Sequence, residues 1–241
     1  MYNDVEERNR FISDFNIPIY YEPIDYNSLP TAVLNKDQDW DDISKLYLQE
    51  KIVVVDNFLE PRFIDILRKY TLITNIRDDF YPDYCATNFF RKQGSLWFKL
   101  LSNIVDECKS DIPLLKDYKS ERAWSFIYSN TSNGVNIHTD PASITLNLWV
   151  TPDECMYDKQ GLNGMEIWKV SRPSSWSPEE YTGNSQLASK IIEDKKTTST
   201  IIPYKHNRLV IFDSSLFHRS QPVLSKPGYQ NKRINYTFLF S

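Results

Sequence analysis

The cleanest period-two run in the chain is Ser143–Val150. Ile144, Leu146, Leu148 and Val150 fall on one side, and Thr145, Asn147 and Trp149 on the other. The C-terminal run repeats the pattern: Ile234, Tyr236, Phe238 and Phe240 stand opposite Arg233, Asn235, Thr237 and Leu239. Successive strand residues point to opposite faces, so both runs read as strands with two distinct surfaces. The same texture predicts eight short strands, at about 121–129, 135–139, 143–150, 164–170, 197–203, 208–213, 216–223 and 233–240. Turn signals separate them. Eight antiparallel strands in this length of chain predict a jelly roll (a double-stranded β-helix), two sheets with one open mouth.

Upstream of residue 121 the period changes. Ile52-Val53-Val54-Val55-Asp56 is a β-branched run and reads as a buried strand. Pro61 marks a helix start, and Phe63, Ile64, Ile66, Leu67 and Tyr70 follow at helical spacing. A second helix fits Ser95–Cys108, where Leu96, Phe98, Leu100, Leu101, Ile104 and Val105 leave one polar side. Both are expected to support the core. Residues 1–50 are polar and rich in Tyr, Asp and Asn, with an extended stretch at Ile17–Pro23 and a short helix at Trp40–Leu48. The expected organisation is therefore an N-terminal extension, 1–50, packed on a single domain, 51–241. That domain is mainly β with supporting helices, and its jelly-roll core lies at about 120–241. The stretch Ser171–Thr197 interrupts the strands with Pro, Trp and Tyr and a helical patch near Leu187–Ile192. So long an insertion in a compact domain is expected to be a lid, with Trp176 and Tyr181 facing substrate.

Composition narrows the class. Hydrophobic residues make up 41% and charged residues 25% of the 241, which suits a globular chain able to bury a core without disulfides. The net charge of −4 argues against a broad nucleic-acid footprint. Cys85, Cys108 and Cys155 are odd in number, far apart and in no Cys-x-x-Cys pair, so a reducing compartment is expected. The opening MYNDVEERNRF lacks the apolar core of a signal peptide, and no run approaches a membrane span. A cytoplasmic protein with no membrane partner is the expectation.

The candidate chemistry sits in Gly134-Val135-Asn136-Ile137-His138-Thr139-Asp140-Pro141. Read as the end of a strand, His138 and Asp140 share a face and can hold one metal ion between them. The chain has three histidines, His138, His206 and His218. His218 follows the apolar strand Leu209–Phe212, whereas His206 lies at a hairpin tip and reads as solvated. Two imidazoles and one carboxylate suit Fe(II) and leave coordination positions open. Arg233 opens the last strand on its inward face, Lys226 is the rival cation, and Arg219, next to His218, should point away from the metal. Lys226 precedes the Pro227-Gly228 turn, where a side chain faces solvent. Asn147 and Trp149 are expected to line the cavity. Asp56 and Asp213 read as cap and turn residues.

The pattern His138-Thr-Asp140, His218, Arg233 on eight short strands resembles the iron(II)- and 2-oxoglutarate-dependent dioxygenases. The resemblance spans roughly residues 120–241. The stretch IVVVDNFLEPRFIDILRKY looks like the opening of the prolyl-hydroxylase-like branch. ITLNLWVTPDE, PYKHNRLVIFDSSLFHRSQPV and PGYQNKRINYTFLF look like a bacterial group in the same superfamily. The resemblance implies that His138, Asp140 and His218 hold Fe(II), that 2-oxoglutarate and O2 take the open positions, and that Arg233 anchors the far carboxylate of the cosubstrate. It also implies that the Tyr128 hydroxyl bonds the cosubstrate. Asn235 stands where many relatives have a serine that touches the same carboxylate. The implied reaction is hydroxylation of an organic small molecule or a protein side chain, with release of succinate and CO2. Oxidative demethylation of a nucleobase, an inactive jelly-roll binding module and a cupin-like zinc or manganese site are the competing readings.

Overall fold

A computed structural model describes residues 30, 32–73, 78–89, 95–157 and 161–241. The expected extended stretch at Ile17–Pro23 lies outside the described residues. In chain order the elements are α1 (Trp40–Glu50), β1 (Ile52–Val55), α2 (Pro61–Ile73), β2 (Asp79–Phe80), β3 (Tyr84–Asn88), α3 (Leu96–Asp111), β4 (Ser120–Tyr128), β5 (Thr131–Ser132), β6 (Ile144–Trp149), β7 (Met165–Ser171), α4 (Pro178–Gly183), α5 (Ser185–Lys195), β8 (Ser199–Ile202), β9 (Leu209–Asp213), β10 (Leu216–Ser220), β11 (Val223–Leu224) and β12 (Ile234–Phe240).

The strands form a seven-stranded sheet in the order β1-β9-β6-β12-β4-β3-β2, a three-stranded sheet β10-β7-β8 and a two-stranded sheet β11-β5. Every paired ladder is antiparallel. This is the mainly β architecture with supporting helices expected from the sequence, a jelly roll with one large and one small face.

The alternation on β6 and β12 explains why the large sheet sits at the centre. Ile144, Leu146 and Leu148 join Ile234, Tyr236, Phe238 and Phe240 in one apolar cluster with Phe63, Ile64 and Leu67 of α2 and Leu100, Leu101 and Ile104 of α3. The helices thus cover one face of the sheet. The other face carries Thr145, Asn147, Asn235 and Thr237 and borders the cavity described below. Ser95 caps α3 by accepting a hydrogen bond from the Phe98 amide, which fixes where that helix begins. Val33, Leu34, Trp40 and Tyr47 from the 30–50 stretch join the same cluster, and Leu34 bridges Leu59.

Three expectations need correction. Residues 135–139 are not a strand: only His138 pairs, in an isolated bridge with His218. The large sheet also gains β2 and β3, which the sequence reading missed. The insertion after β7 holds the helix expected near Leu187–Ile192, now α5, and a second one, α4, that was not expected. Asn184 caps α5, and Ala188 and Ile192 bury against Trp168, Val170 and Phe217.

Candidate metal centre and its cavity

His138 and His218 meet through their backbones before their side chains meet. Each amide donates to the other's carbonyl at 3.0 Å. The chain turns immediately afterwards, and the Asp140 amide donates to the Ser214 carbonyl, also at 3.0 Å. His138 and Asp140 therefore converge through a bridge followed by a turn, not through strand alternation. The ligand atoms of His138, Asp140 and His218 all lie within 4.8 Å of one another. Asp140 Oδ1 is 3.8 Å from His138 Nε2, and Oδ2 is 3.4 Å from His218 Nε2.

Local bonding fixes which ring nitrogens face inward. His138 Nδ1 lies 2.7 Å from the Asn136 carbonyl, and His218 Nδ1 lies 2.9 Å from the Leu216 carbonyl. A carbonyl only accepts, so each neutral ring carries its proton on Nδ1 and presents a bare Nε2. Burial, then repulsion from His218, pushes His138 down to about 4, so it is neutral at ordinary pH. Burial alone would raise Asp140, but the two imidazoles and the Thr145 hydroxyl outweigh it and hold the carboxyl at about 2. Two imidazole nitrogens and one carboxylate make a donor set that fits Fe(II).

Two side chains outside the predicted set brace the cluster. Thr145 Oγ1 donates to Asp140 Oδ2 at 2.8 Å, with Ser214 Oγ 2.8 Å from it. Thr145 was legible as the inward neighbour of Asn147 on β6. Arg172, at the end of β7, directs Nη1 to the Asp140 carbonyl at 2.8 Å, Thr139 Oγ1 at 3.1 Å and the Ser214 carbonyl at 3.2 Å. Its guanidinium lies 4.5 Å from the Tyr181 ring centroid. No local sequence signal marks Arg172, since its partners are far along the chain.

The cluster opens into a cavity of about 330 Å³ bordered by His138, Asp140, His218, Tyr128, Asn147, Arg233 and Asn235, among others. Arg233 is 1% exposed. Its Nε and Nη1 are buried without a hydrogen-bond partner among the described residues. Three rings surround it, with centroids 4.8 Å (Tyr128), 5.7 Å (Trp149) and 5.9 Å (Tyr204) from its Cζ. Burial lowers its pKa, and Tyr128 and Tyr204 oppose that shift. A guanidinium in this state is poised for an anion that can take a planar pair of hydrogen bonds. Asn235 Nδ2 donates to Asn147 Oδ1 at 3.0 Å, while Asn235 Oδ1 is buried without a partner among the described residues. Tyr204, missed in the sequence, donates its hydroxyl to the Thr151 carbonyl and packs on Trp149.

The remaining expectations divide. Lys226 is exposed and does not border the cavity. Arg219 turns away, with Nε 2.8 Å from Glu166 Oε2. Asp213 accepts from the Ser215 amide as a turn residue, whereas Asp56 is not a cap: it pairs with Arg208 and Lys205. Trp149 does not border the cavity. It packs in an apolar cluster with Met165, Ile167, Val210 and Phe212 and reaches the site through Arg233. His206 is half-buried rather than solvated, its amide donating to Asp153. Trp176 packs edge-on against Phe217, and neither it nor Tyr181 borders the cavity. The 171–197 segment supports the metal cluster from outside, through Arg172 and the bond from the Thr139 amide to the Tyr181 carbonyl.

No family model matches the chain, and no curated protein matches it. Solved structures do share its fold. A prolyl hydroxylase from Trichoplax adhaerens, in complex with a hypoxia inducible factor peptide, has a TM-score of 0.53 at 13% identity, covering 83% of this chain and 88% of that one. A 2OG-Fe(II) oxygenase family oxidoreductase from Burkholderia pseudomallei has a TM-score of 0.53 at 7% identity, covering 86% and 92%. HygX from Streptomyces hygroscopicus, with nickel and 2-oxoglutarate bound, has a TM-score of 0.55 at 7% identity, covering 83% and 86%. The fold is thus the jelly roll of the 2-oxoglutarate/Fe(II) oxygenases. Fold alone does not carry an activity, which has to be argued from the site.

Proposed function

We propose that the protein is an Fe(II)- and 2-oxoglutarate-dependent dioxygenase that hydroxylates an organic small molecule or a protein side chain, releasing succinate and CO2. One observation carries the reading: a two-His, one-carboxylate cluster borders the same cavity as a buried guanidinium whose Nε and Nη1 have no partner among the described residues. A simple metal-binding module needs only the first.

Iron, once bound, supplies O2 activation and the oxidative decarboxylation of 2-oxoglutarate. The chain supplies geometry and charge. His138 and His218 present Nε2 because backbone carbonyls hold their Nδ1 protons. Asp140 contributes a negative charge, and Thr145 fixes the direction of one of its oxygens. Arg233 takes the far carboxylate of the cosubstrate in the plane of its fork. Tyr128, Trp149 and Tyr204 keep water from that pair, which strengthens it. Asn147 has its oxygen occupied by Asn235 and Thr237 and keeps its amide N–H groups for an acceptor in the cavity. The three cysteines are free and buried, which supports a reducing, cytoplasmic setting. Among the described residues no helix is long and apolar enough to cross a membrane.

The test is succinate formation from 2-oxoglutarate by purified protein with and without added Fe(II). Iron-dependent succinate that disappears in Asp140→Ala is the expected result. Succinate that needs no iron, or none under any iron loading, would end the proposal.

A further inference from the structure

The inward residues of β4 form a ladder down one wall of the cavity: Arg122, Trp124, Phe126 and Tyr128. Tyr128 is the deep rung and lies against Arg233. Arg122 is the outer rung, exposed but still bordering the cavity. At about 3.3 Å per residue the two ends are roughly 20 Å apart. Two guanidinium groups therefore serve one cavity from opposite ends, and a five-carbon diacid cannot reach both.

The register places Arg122 on the metal side. Arg122 stands opposite Leu239, and Leu239 opposite Thr145, the residue bonded to Asp140. Arg122 has no ion-pair partner among the described residues. Neither carboxylate that borders the cavity is its counterion: Asp140 lies against the two imidazoles and Thr145, and Asp79 sits on β2. Asp79 pairs with Ala86 and Ala86 with Phe126, four residues from Arg122 and so about 13 Å along the strand direction. Between these charges the wall is aromatic, since Trp124 and Phe126 are both half-buried and present their rings to the cavity. A guanidinium on an open surface is merely hydrated. One that borders a walled, ring-lined cavity is screened less and binds an anion better.

We propose that the prime substrate is a monoanionic organic acid with a flat apolar body. Arg122 takes its carboxylate, Trp124 and Phe126 take the body, and Asp79 repels a second negative group. This rests on the dioxygenase reading and names the substrate class of the same cavity.

The test uses calorimetric titration of the Zn(II)-loaded protein with saturating 2-oxoglutarate. The probes are 3-phenylpropanoate and its neutral counterpart, 3-phenylpropanamide. The anion should bind about tenfold tighter than the amide, the scale of one charge-assisted pair in a partly wet site. In Arg122→Gln the preference should vanish, and Arg122→Lys should recover part of it. Trp124→Ala should weaken both probes alike. Equal affinity of the two probes, no binding of the anion, or a preference that survives Arg122→Gln overturns the proposal. Repeating the titration without 2-oxoglutarate separates the two readings. If 2-oxoglutarate gives no heat but the anion preference stands and depends on Arg122, the dioxygenase reading falls and the anion subsite remains. If 2-oxoglutarate displaces the anion, the anion was sitting at Arg233 and the Arg122 assignment is wrong.

Discussion

Replacing Arg233 with Met separates a cosubstrate anchor from a core residue. Arg233 is 1% exposed, and two of its three guanidinium nitrogens lack partners among the described residues. Each unsatisfied buried donor costs roughly 1–3 kcal/mol, against about 0.5–2 kcal/mol gained from each ring contact. Exchanging a poorly compensated buried ion for an apolar side chain of similar length is commonly neutral or stabilising. Ligand-free Arg233→Met should therefore melt higher than wild type, by about 2–4 °C for each kcal/mol in a chain of this size. Cosubstrate binding should move the other way. Losing one half of a buried charge pair costs roughly 2–5 kcal/mol, or about 30- to 5,000-fold in Kd. Arg233→Lys keeps the charge but not the planar fork, so its Kd should fall between the two. Lys226→Ala should change nothing. The assay is 2-oxoglutarate titration under Zn(II), followed by calorimetry and by thermal shift. A large drop in ligand-free Tm with an unchanged 2-oxoglutarate Kd would make Arg233 a structural residue. Weakening by Lys226→Ala alone would move the anchor to the lysine.

Other residues give sharp outcomes. Asp140→Ala should remove most metal affinity while circular dichroism stays native, because the carboxylate supplies charge and a ligand atom rather than packing; metal binding equal to wild type would exclude it from the centre. Arg172→Met should weaken metal binding about 10- to 100-fold, the usual effect of losing a group that orients a ligand. It withdraws the clamp on Thr139, Asp140 and Ser214, and an unchanged metal Kd would reduce Arg172 to a surface contact. Asp56 is held at about 2, below the usual carboxylate range, by its bond to Arg208, with Lys205 adding to it against the effect of burial. Its folded pKa is depressed, so its stabilisation is complete above about pH 4 and is lost as pH falls toward 2. After discounting for partial exposure, Asp56→Asn should cost about 1 kcal/mol at pH 7. The difference from wild type should close by about pH 2, and a difference that persists there would contradict the ion-pair account.

Strand alternation makes the inner wall legible in the sequence. Thr145, Asn147, Arg233 and Asn235 all fall on the cavity side because β6 and β12 keep strict period two. The helices at 61–73 and 96–111 were legible for the same reason, at period 3.6. The His138–Asp140 pair was found for a partly wrong reason: its convergence comes from the bridge to His218 and the bond to Ser214, which residue spacing does not encode. Strands β2 and β3 escaped notice because Asp-Asp-Phe-Tyr-Pro-Asp-Tyr lacks alternation and contains Pro82. Trp149 has the right parity to face the cavity, but Arg233 and Tyr204 stand beside it and the residues behind it form an apolar cluster. The insertion at 171–197 carried Pro, Trp and Tyr that suggested a mouth loop. Capped helix starts at Ser177 and Asn184 make it two helices, of which only the second, around Leu187–Ile192, was legible.

In the proposed function one cavity takes iron at His138, Asp140 and His218 and 2-oxoglutarate at that iron and Arg233. Anaerobic titration of Fe(II)-loaded protein with 2-oxoglutarate tests it most directly, followed by the weak metal-to-ligand charge-transfer absorption of a chelated 2-oxo acid. The expected band saturates at one equivalent, is absent in Asp140→Ala, and needs far more 2-oxoglutarate in Arg233→Met. Saturating iron and 2-oxoglutarate with no band in the wild-type protein would contradict it.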